Sequence, residues 1–355
     1  MGLLRIRAGQ AAFEHIQKHG LSPADISTVF GASGAAKWLA IYGLDRAIFS
    51  QWLVGANHPI NLFGTSVGAF KLAGACRQDP AKALDDLAHA YIEQSYPNGF
   101  SADLIDVETQ KLLNAVVDQA GVDEILAHPV FRYHCGTVLA KGLLAGASVT
   151  QQKYAMALAF ALNGFGRNIH KKSMQRVIFA DDRADGALAG RDAYVSHRVA
   201  LNRDNLRSAV MASGSIPVVM HGVSDVLGAP AGMHRDGGLL DYHPVPGNLW
   251  QGEGLVLYPH FYSEVTSGWF DKYFFWRKTP KALLDKVVLI SPSESFLAST
   301  ELGRIPDRRD FLRMQGDDTM RKRLWRDSAT RSLELGEDFL ALVKAGNIGA
   351  IVEPI

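Results

Sequence analysis

The sequence predicts a doubly wound α/β domain, a three-layer α/β/α sandwich with a mainly parallel central sheet. Twice between residues 26 and 77, a short apolar strand runs directly into a glycine-rich turn and then into a helix-forming segment. This alternation is typical of parallel strands joined by helices. Hydrophobic residues make up 47% of the chain and charged residues 21%, as in ordinary globular domains.

The first elements follow from apolar spacing and from glycine. Residues 11–16 place their apolar side chains near one face of a helix, and Gly20 is suited to end it. The two strand–turn–helix units come next, with strands over residues 26–30 and 60–63 and helices over about 35–50 and 67–77.

The middle of the chain, about residues 80–127, has apolar residues at helical spacing, whereas later segments are typical of strands. The strand candidates are residues 131–140, 176–180, 194–200, 255–258 and 286–290. No stretch rich in Pro, Ser or charge divides the chain. We therefore expect one domain over residues 1–250, with its core at about 25–250, and a C-terminal extension over 251–355 packed on that domain.

Composition excludes several classes of protein. There are 37 Lys and Arg against 36 Asp and Glu, and this balance argues against a dedicated nucleic-acid binder. Two cysteines, Cys76 and Cys135, cannot build a disulfide framework, which favours a reducing compartment. The longest conspicuous apolar stretch is residues 154–162, and a membrane-spanning helix needs about 20 residues. We expect a cytoplasmic protein, peripheral at membranes if it acts on lipid.

The segment Gly64-Thr65-Ser66-Val67-Gly68 has the pattern G-x-S-x-G. A nucleophile on a sharp strand-to-helix turn needs small residues two positions away on either side, and glycine meets that need. The amide of Val67 and the start of the following helix would favour negative charge on a bound carbonyl oxygen. An apolar strand precedes the motif and a helix-forming segment follows it, so the pattern favours a nucleophilic Ser66 over a simple capped turn.

A serine nucleophile needs a base, and the sequence offers two kinds. His221, His234, His243 and His260 lie downstream, as a histidine triad would require, but none has a distinctive local pattern. Asp236-Gly237-Gly238 is more distinctive, because it ends a short extended stretch and lets the chain turn at once beside the carboxylate. We therefore prefer Asp236 as the base.

Glycine turns after strands also bind phosphates, so a nucleotide-binding protein is a competing class. The phosphate-loop pattern nearly fits residues 31–38, but Ala36 replaces its second glycine and Trp38 replaces the magnesium-binding Ser or Thr. We expect no nucleotide. Because we find no zinc or calcium ligand spacing, we also expect no metal and no cofactor.

These motifs together resemble the patatin-like phospholipases. The resemblance rests on a glycine-rich loop after the first strand (Gly31-Ala32-Ser33-Gly34), G-x-S-x-G and D-G-G in that order, and on Ala212-Ser213-Gly214-Ser215-Ile216-Pro217 before the aspartate. It covers about residues 25–250. The loop departs from the family pattern at Ser33 and Ala36, and Lys37 comes later than the usual basic residue.

The resemblance implies a sandwich of the patatin-like type and a serine acyl hydrolase with a Ser66–Asp236 dyad. Its oxyanion hole would use amides of Gly31, Ala32, Ser33, Gly34 and Val67, and its substrate would be a phospholipid or another acyl lipid. Two alternatives stay open. One is a non-catalytic or weakly active lipid-binding relative, and the other is a histidine-triad carboxylesterase.

Two further segments bear on lipid. Residues 261–276 contain eight aromatic residues followed by Arg277 and Lys278, which suits either a lipid–water interface or core packing. Residues 304–331 mix nine Lys and Arg with five Asp, which is typical of a solvated helical surface and leaves contact with anionic headgroups open.

Overall fold

The computed structural model describes residues 2–96 and 99–355. It shows one mixed, mostly parallel sheet with helices on both sides, so the predicted α/β fold class is confirmed. The strands are β1 (Leu4–Ala8), β2 (Ile26–Gly31), β3 (Ile60–Gly64), β4 (Phe131–Ala140), β5 (Met174–Ala180), β6 (Ser196–Ala200), β7 (Val223–Ser224), β8 (Met233–Asp236), β9 (Leu255–Pro259), β10 (Val287–Pro292) and β11 (Glu353–Pro354).

The α-helices vary from one turn to more than seven turns. They are α1 (Gln10–His19), α2 (Tyr42–Ala47), α3 (Val67–Ala75), α4 (Pro80–Glu93), α5 (Ala102–Val116), α6 (Gln119–Ala127), α7 (Val149–Asn163), α8 (Leu206–Ser213), α9 (Pro246–Leu249), α10 (Glu294–Ser299), α11 (Asp310–Arg313), α12 (Asp318–Lys344) and α13 (Ile348–Ile351). Short 3₁₀ turns cover Pro23–Asp25, Ala35–Ile41, Leu53–Gly55, Gly142–Ala145, Arg167–Lys172, Gly237–Leu239, Asp271–Tyr273 and Lys281–Leu284.

Several helix starts follow directly from capping residues. The side chains of Asp79, Ser101, Asp118, Ser148 and Asp317 each accept a hydrogen bond from an amide in the first turn of the helix. The helix predicted over 35–50 is helical but irregular, since only α2 is α-helical and a π-helical turn, Ile48–Trp52, comes after it.

The strand order is β11-β1-β10-β9-β2-β3-β4-β5-β6, and β8 pairs with β4 and β7. β2, β3 and β4 are parallel neighbours, so the turns after β2 and β3 lie at the same edge of the sheet. Their side chains are almost entirely buried, as expected for strands covered on both faces. This edge carries the candidate site.

The end of the chain completes the sheet. β9 lies between β2 and β10, and β10 pairs antiparallel with β1, a strand that the sequence pattern did not predict. Residues 251–355 therefore supply three strands of the central sheet, β9, β10 and β11, and are not only an extension packed against it. The physical reason is that β9 and β10 are fully buried apolar strands and need hydrogen-bonded neighbours on both sides.

The basic segment 304–331 is less solvated than its composition predicts. Arg321 is buried on α12, and its guanidinium donates to the carbonyl oxygens of Ile92 and Gln94. Asp310 is also buried and pairs with Arg304 and Arg313. The hydrogen bonds of Arg321 anchor the first part of α12 to the end of α4.

Candidate active site

Ser66 and Asp236 meet because of the register of two strands on the same side of β4. Gly64, the last residue of β3, pairs with Cys135, and β8 runs antiparallel to β4 until Asp236 pairs with Thr137. Only Gly136 separates the two partners on β4. The ends of β3 and β8 therefore point at each other, which brings together residues 170 positions apart in sequence.

The turn after β3 has the strained backbone that a nucleophile elbow requires. Ser66 has φ 53° and ψ −131°, a conformation that residues other than glycine seldom adopt. A Cβ atom on Gly64 would lie 2.3 Å from the Gly68 carbonyl carbon, and one on Gly68 would lie 2.2 Å from the Gly31 carbonyl oxygen. The glycines thus allow the first turn of α3 to pack directly on the ends of β2 and β3.

Ser66 Oγ donates a 2.9 Å hydrogen bond to Asp236 Oδ2. The other carboxylate oxygen, Oδ1, accepts a 2.7 Å bond from the Gly238 amide, which fixes the plane of the carboxylate. Burial raises the pKa of Asp236 to about 6, although the Gly238 amide, Ser66 and the charge of Arg308 oppose the shift. Asp236 is therefore a much stronger base than an exposed aspartate.

The D-G-G turn also needs both glycines. A Cβ atom on Gly237 would lie 2.2 Å from the Gly136 carbonyl oxygen, and one on Gly238 would lie 2.5 Å from Ser33 Oγ. The chain after Asp236 thus lies directly against β4 and against the loop after β2. Any larger residue would push Asp236 away from Ser66.

Two serines at and after the end of α8 hold Ser66 and Asp236 in place. The Ser66 amide donates to both the carbonyl oxygen and Oγ of Ser213, while Ser213 Oγ donates to the Gly136 carbonyl at 2.7 Å. The Asp236 amide donates to the Ser215 carbonyl at 2.9 Å. In the sequence, only the family resemblance drew attention to these serines; in the structure they tie both dyad residues to one segment.

The amides predicted to form an oxyanion hole are not equivalent. Ser33 donates its amide to the Tyr242 carbonyl at 2.8 Å, so this predicted donor is already used, and Gly31 and Ala32 line neither cavity at Ser66. Gly34 and Val67 line these cavities, and over residues 2–96 and 99–355 their amides have no acceptor. Two amides thus remain available to a bound oxyanion.

A buried polar network that sequence reasoning missed supports the turn from behind. Thr65 Oγ1 donates to the Asp241 carbonyl at 2.7 Å and contacts Ser33 Oγ at 2.9 Å. The Asp241 carboxylate accepts two bonds from Arg176, whose guanidinium also binds Asp192. The only sign of this network in the sequence was Arg176, a charged residue within the otherwise mainly apolar strand β5.

The four downstream histidines do not reach the nucleophile. In the described part of the chain, Asp236 is the residue whose side chain is hydrogen-bonded to Ser66 Oγ, and no histidine nitrogen is. His243 lines the site, but its Nδ1 accepts from the Thr266 amide, and burial holds its pKa well below the ordinary value. His221 instead contacts Asp106 at the surface.

Two cavities meet at Ser66. The first, about 600 Å³, is lined by charged residues and is named the charged cavity (Lys37, Lys272, Asp307, Arg308 and Arg309). The second, about 960 Å³, is named the apolar cavity, and its lining includes Phe70, Tyr91, Tyr96, Phe100, Ile105, Leu112, Phe311 and Leu312. Ser66, Ile216, Arg308 and Arg309 are among the residues that line both.

The predictions on metal and nucleotide concern His, Cys and carboxylate clusters and the near-match to a phosphate loop. Among the described residues, no group of three or more His, Cys, Asp or Glu side chains is placed to hold a metal ion. The lysine of the near-match to a phosphate loop, Lys37, pairs with Asp307. Both cysteines, Cys76 and Cys135, are buried as free thiols.

Comparison with known proteins finds neither a matching family model nor a matching curated protein. Among solved structures, the chain is similar to human GIVD cytosolic phospholipase A2, with a TM-score of 0.41 and 10% identity over 95% of this chain and 63% of that one. It is also similar to VipD from Legionella pneumophila, with a TM-score of 0.36 and 11% identity over 95% of this chain and 70% of that one. The chain thus spans less than two thirds of the human phospholipase structure.

Proposed function

We propose that this protein is a serine acyl hydrolase that cleaves carboxylic esters of acyl lipids through Ser66 and Asp236. The observation that supports this most is the 2.9 Å contact between a buried carboxylate and a serine held at φ 53° on a strand-to-helix turn. A capped turn would not need this backbone strain, nor an aspartate whose pKa is raised to about 6.

In the proposed mechanism, Asp236 accepts the Ser66 proton as Oγ bonds to the ester carbonyl carbon. The amides of Gly34 and Val67 stabilise the oxyanion, and the start of α3 adds favourable charge. The carbon–oxygen bond to the alcohol then breaks, and Asp236 returns the proton to the departing alcohol. Water attacks the acyl-serine, its proton passes through Asp236 back to Ser66, and the carboxylic acid leaves.

The apolar cavity supports a lipid substrate. Aromatic and aliphatic side chains from α3, α4 and α5 line it, and it opens directly on Ser66. Its volume of about 960 Å³ lies at the upper end of small-molecule sites, which are usually about 300–1,000 Å³. An extended acyl chain would bury its methylene groups there and place its carboxyl carbon at the serine.

Covalent labelling tests the proposal directly. We expect a fluorophosphonate probe to label the folded protein at Ser66, and we expect Ser66→Ala and Asp236→Asn each to reduce hydrolysis of p-nitrophenyl esters by a factor on the order of a thousand or more. Ser295→Ala, an exposed serine variant, should keep wild-type activity. Failure to label the folded protein would favour the non-catalytic lipid-binding alternative, and loss of activity in His243→Ala but not in Asp236→Asn would favour a histidine triad.

We also propose that the aromatic segment contacts lipid surfaces. Phe261 and Phe270 pack in the core, but Phe275 and Trp276 are 81% and 63% exposed. Phe274 packs against both Trp276 and the exposed Phe160 on α7. Exposed apolar clusters of this kind mark interaction surfaces. Among the described residues, no helix is long and apolar enough to cross a membrane.

Vesicle sedimentation tests this surface. Replacing Phe275 and Trp276 with Ser should weaken binding to phosphatidylcholine vesicles by a factor of about ten or more, since each buried aromatic contributes about 1.5–3 kcal/mol. Hydrolysis of a short, water-soluble ester should be unchanged. Unaltered vesicle binding of the double variant would refute the surface without affecting the dyad.

A further inference from the structure

The charged cavity beside Ser66 holds more positive than negative charge. Lys37 is paired with Asp307. Over residues 2–96 and 99–355, the side chains of Lys272, Arg308 and Arg309 form no ion pair and no hydrogen bond. Three basic side chains thus face a cavity whose other carboxylate, Asp236, is already bonded to Ser66 and Gly238.

Lys272 shows that this charge is not compensated within the described part of the protein. Its ammonium lies 3.9 Å from the centre of the Trp269 ring, 4.9 Å from that of Tyr273 and 5.7 Å from that of Tyr242. Burial lowers the pKa of Lys272 to about 7, and the charges of Arg308, Lys37 and Arg309 contribute to the same shift. Cation–π contacts offset only part of the lost hydration.

One of these side chains, Arg308, is close to the reacting groups. Arg308 lines both cavities together with Ser66, and its positive charge acts to lower the pKa of Asp236. Because the apolar cavity accommodates an acyl chain, the charged cavity is where the alcohol part of the ester would lie. An anionic group on that alcohol would supply the counter-charge that these side chains lack.

We infer that the charged cavity is a subsite for a phosphate-type oxyanion on the alcohol side of the ester, bound by Lys272, Arg308 and Arg309. This inference rests on the proposed function and names its substrate class: an anionic, phosphate-bearing acyl ester in preference to a neutral one. Arginine forks match tetrahedral oxyanions in geometry and charge. The three cations come from the part of the chain after residue 250, which the sequence motifs do not cover.

A binding experiment tests the subsite without turnover. Calorimetric titration compares decyl phosphate with decanol, two ligands with the same chain, on the wild-type protein, Arg308→Gln, Lys272→Met and Arg203→Gln. Wild type should bind decyl phosphate at least tenfold more tightly than decanol, since hydrogen bonds to charged groups contribute that much or more. Arg308→Gln and Lys272→Met should each lose most of that preference, and the exposed Arg203→Gln should keep it.

Equal affinity of wild type for decyl phosphate and decanol would overturn the inference. So would a preference that survives in both Arg308→Gln and Lys272→Met, with folding of each variant verified by its thermal transition. Because neither ligand is hydrolysed, a failed labelling of Ser66 and a failed phosphate preference are separate results.

Turnover of matched esters then distinguishes the two sources of such a phosphate. Each acylglycerol phosphate is compared with its neutral acylglycerol at two chain lengths, a butanoyl ester that stays dissolved and a palmitoyl ester that forms lipid assemblies. Preference for the phosphate in the palmitoyl pair alone identifies a lipid headgroup, and preference in the butanoyl pair as well identifies a soluble phosphoester. Equal turnover within both pairs, unchanged in Arg308→Gln, contradicts the subsite.

Discussion

Asp236 combines two properties that oppose each other. The residue is 7% exposed and its carboxylate accepts bonds from Ser66 and Gly238, yet it has no cationic partner in direct contact among the described residues. Burial without a paired charge raises its pKa and makes it useful as a base near neutral pH. The same burial lowers the stability of the folded protein when Asp236 is ionised.

The pH dependence of turnover should report this residue. Asp236 must be ionised to accept the Ser66 proton, so kcat/KM for a neutral p-nitrophenyl ester should rise about tenfold per pH unit below about pH 6 and level off above it. A neutral ester is chosen because Lys272 also titrates near 7. A profile that stays level down to about pH 4.5 in a folded protein would exclude Asp236 as the base.

Asp236→Asn should be inactive and yet more stable than wild type above pH 7. The folded-state pKa lies above the value of 3.8 expected in the unfolded chain, so wild type loses stability as pH rises from about 4 to about 6. Removing the charge should raise the free energy of unfolding at pH 8 by about 1–3 kcal/mol, with a smaller gain at pH 4.5. Urea unfolding measures this, with the exposed Asp182→Asn as control. A variant less stable than wild type at pH 8 contradicts the prediction.

Among the secondary-structure elements, the close approach of α3 to the strand ends shapes the site. Both strand–turn–helix units and the role of Gly64 and Gly68 could be predicted from sequence, because local pattern decides these. β1 was missed, although Leu4, Ile6 and Ala8 alternate with two arginines. Its partner β10 is about 280 residues away, and an alternation over five residues does not by itself specify the strand with which it pairs.

Gly68→Ala tests the close approach. The added methyl group would lie 2.2 Å from the Gly31 carbonyl oxygen, a backbone atom that cannot rotate aside. We expect a loss of about 1–3 kcal/mol in the free energy of unfolding, or more, together with lower activity because Ser66 shifts relative to Asp236. Gly55→Ala is the matched control, since a Cβ atom there has no neighbour within 4 Å. Equal stability of the two variants would show that α3 does not need Gly68.

Across the whole molecule, the two ends of the chain meet in one sheet. Strands from both ends, β1, β9 and β10, complete one side of the sheet that begins with β2. The same late part of the chain supplies Lys272, Arg308 and Arg309 to the charged cavity. The site and the sheet therefore both depend on residues after 250.

A fragment of residues 1–250 should not fold. Loss of β9 would leave the edge of β2 unpaired and its buried side chains exposed, which favours aggregation. Removing only residues 353–355, which takes away the exposed two-residue strand β11, should leave a soluble protein. Solubility and cooperative thermal unfolding measure both outcomes. A soluble, cooperatively unfolding 1–250 fragment would restore the extension as a separate unit.

Short patterns of apolar residues, glycine and one reactive side chain were enough to predict the fold class, the nucleophile candidate and its aspartate, because each of these depends on neighbours in sequence. The folded chain was needed to show which loop amides remain free and that Ser213 and Ser215 hold Ser66 and Asp236. It also shows three basic side chains, without ion pairs among the described residues, that line the cavity at Ser66. These features arise where β3 and β8 end next to each other along β4, opposite the residues just before and just after Gly136. They also depend on the last hundred or so residues, which return to the sheet. Contacts between segments so far apart in sequence leave no local pattern to read.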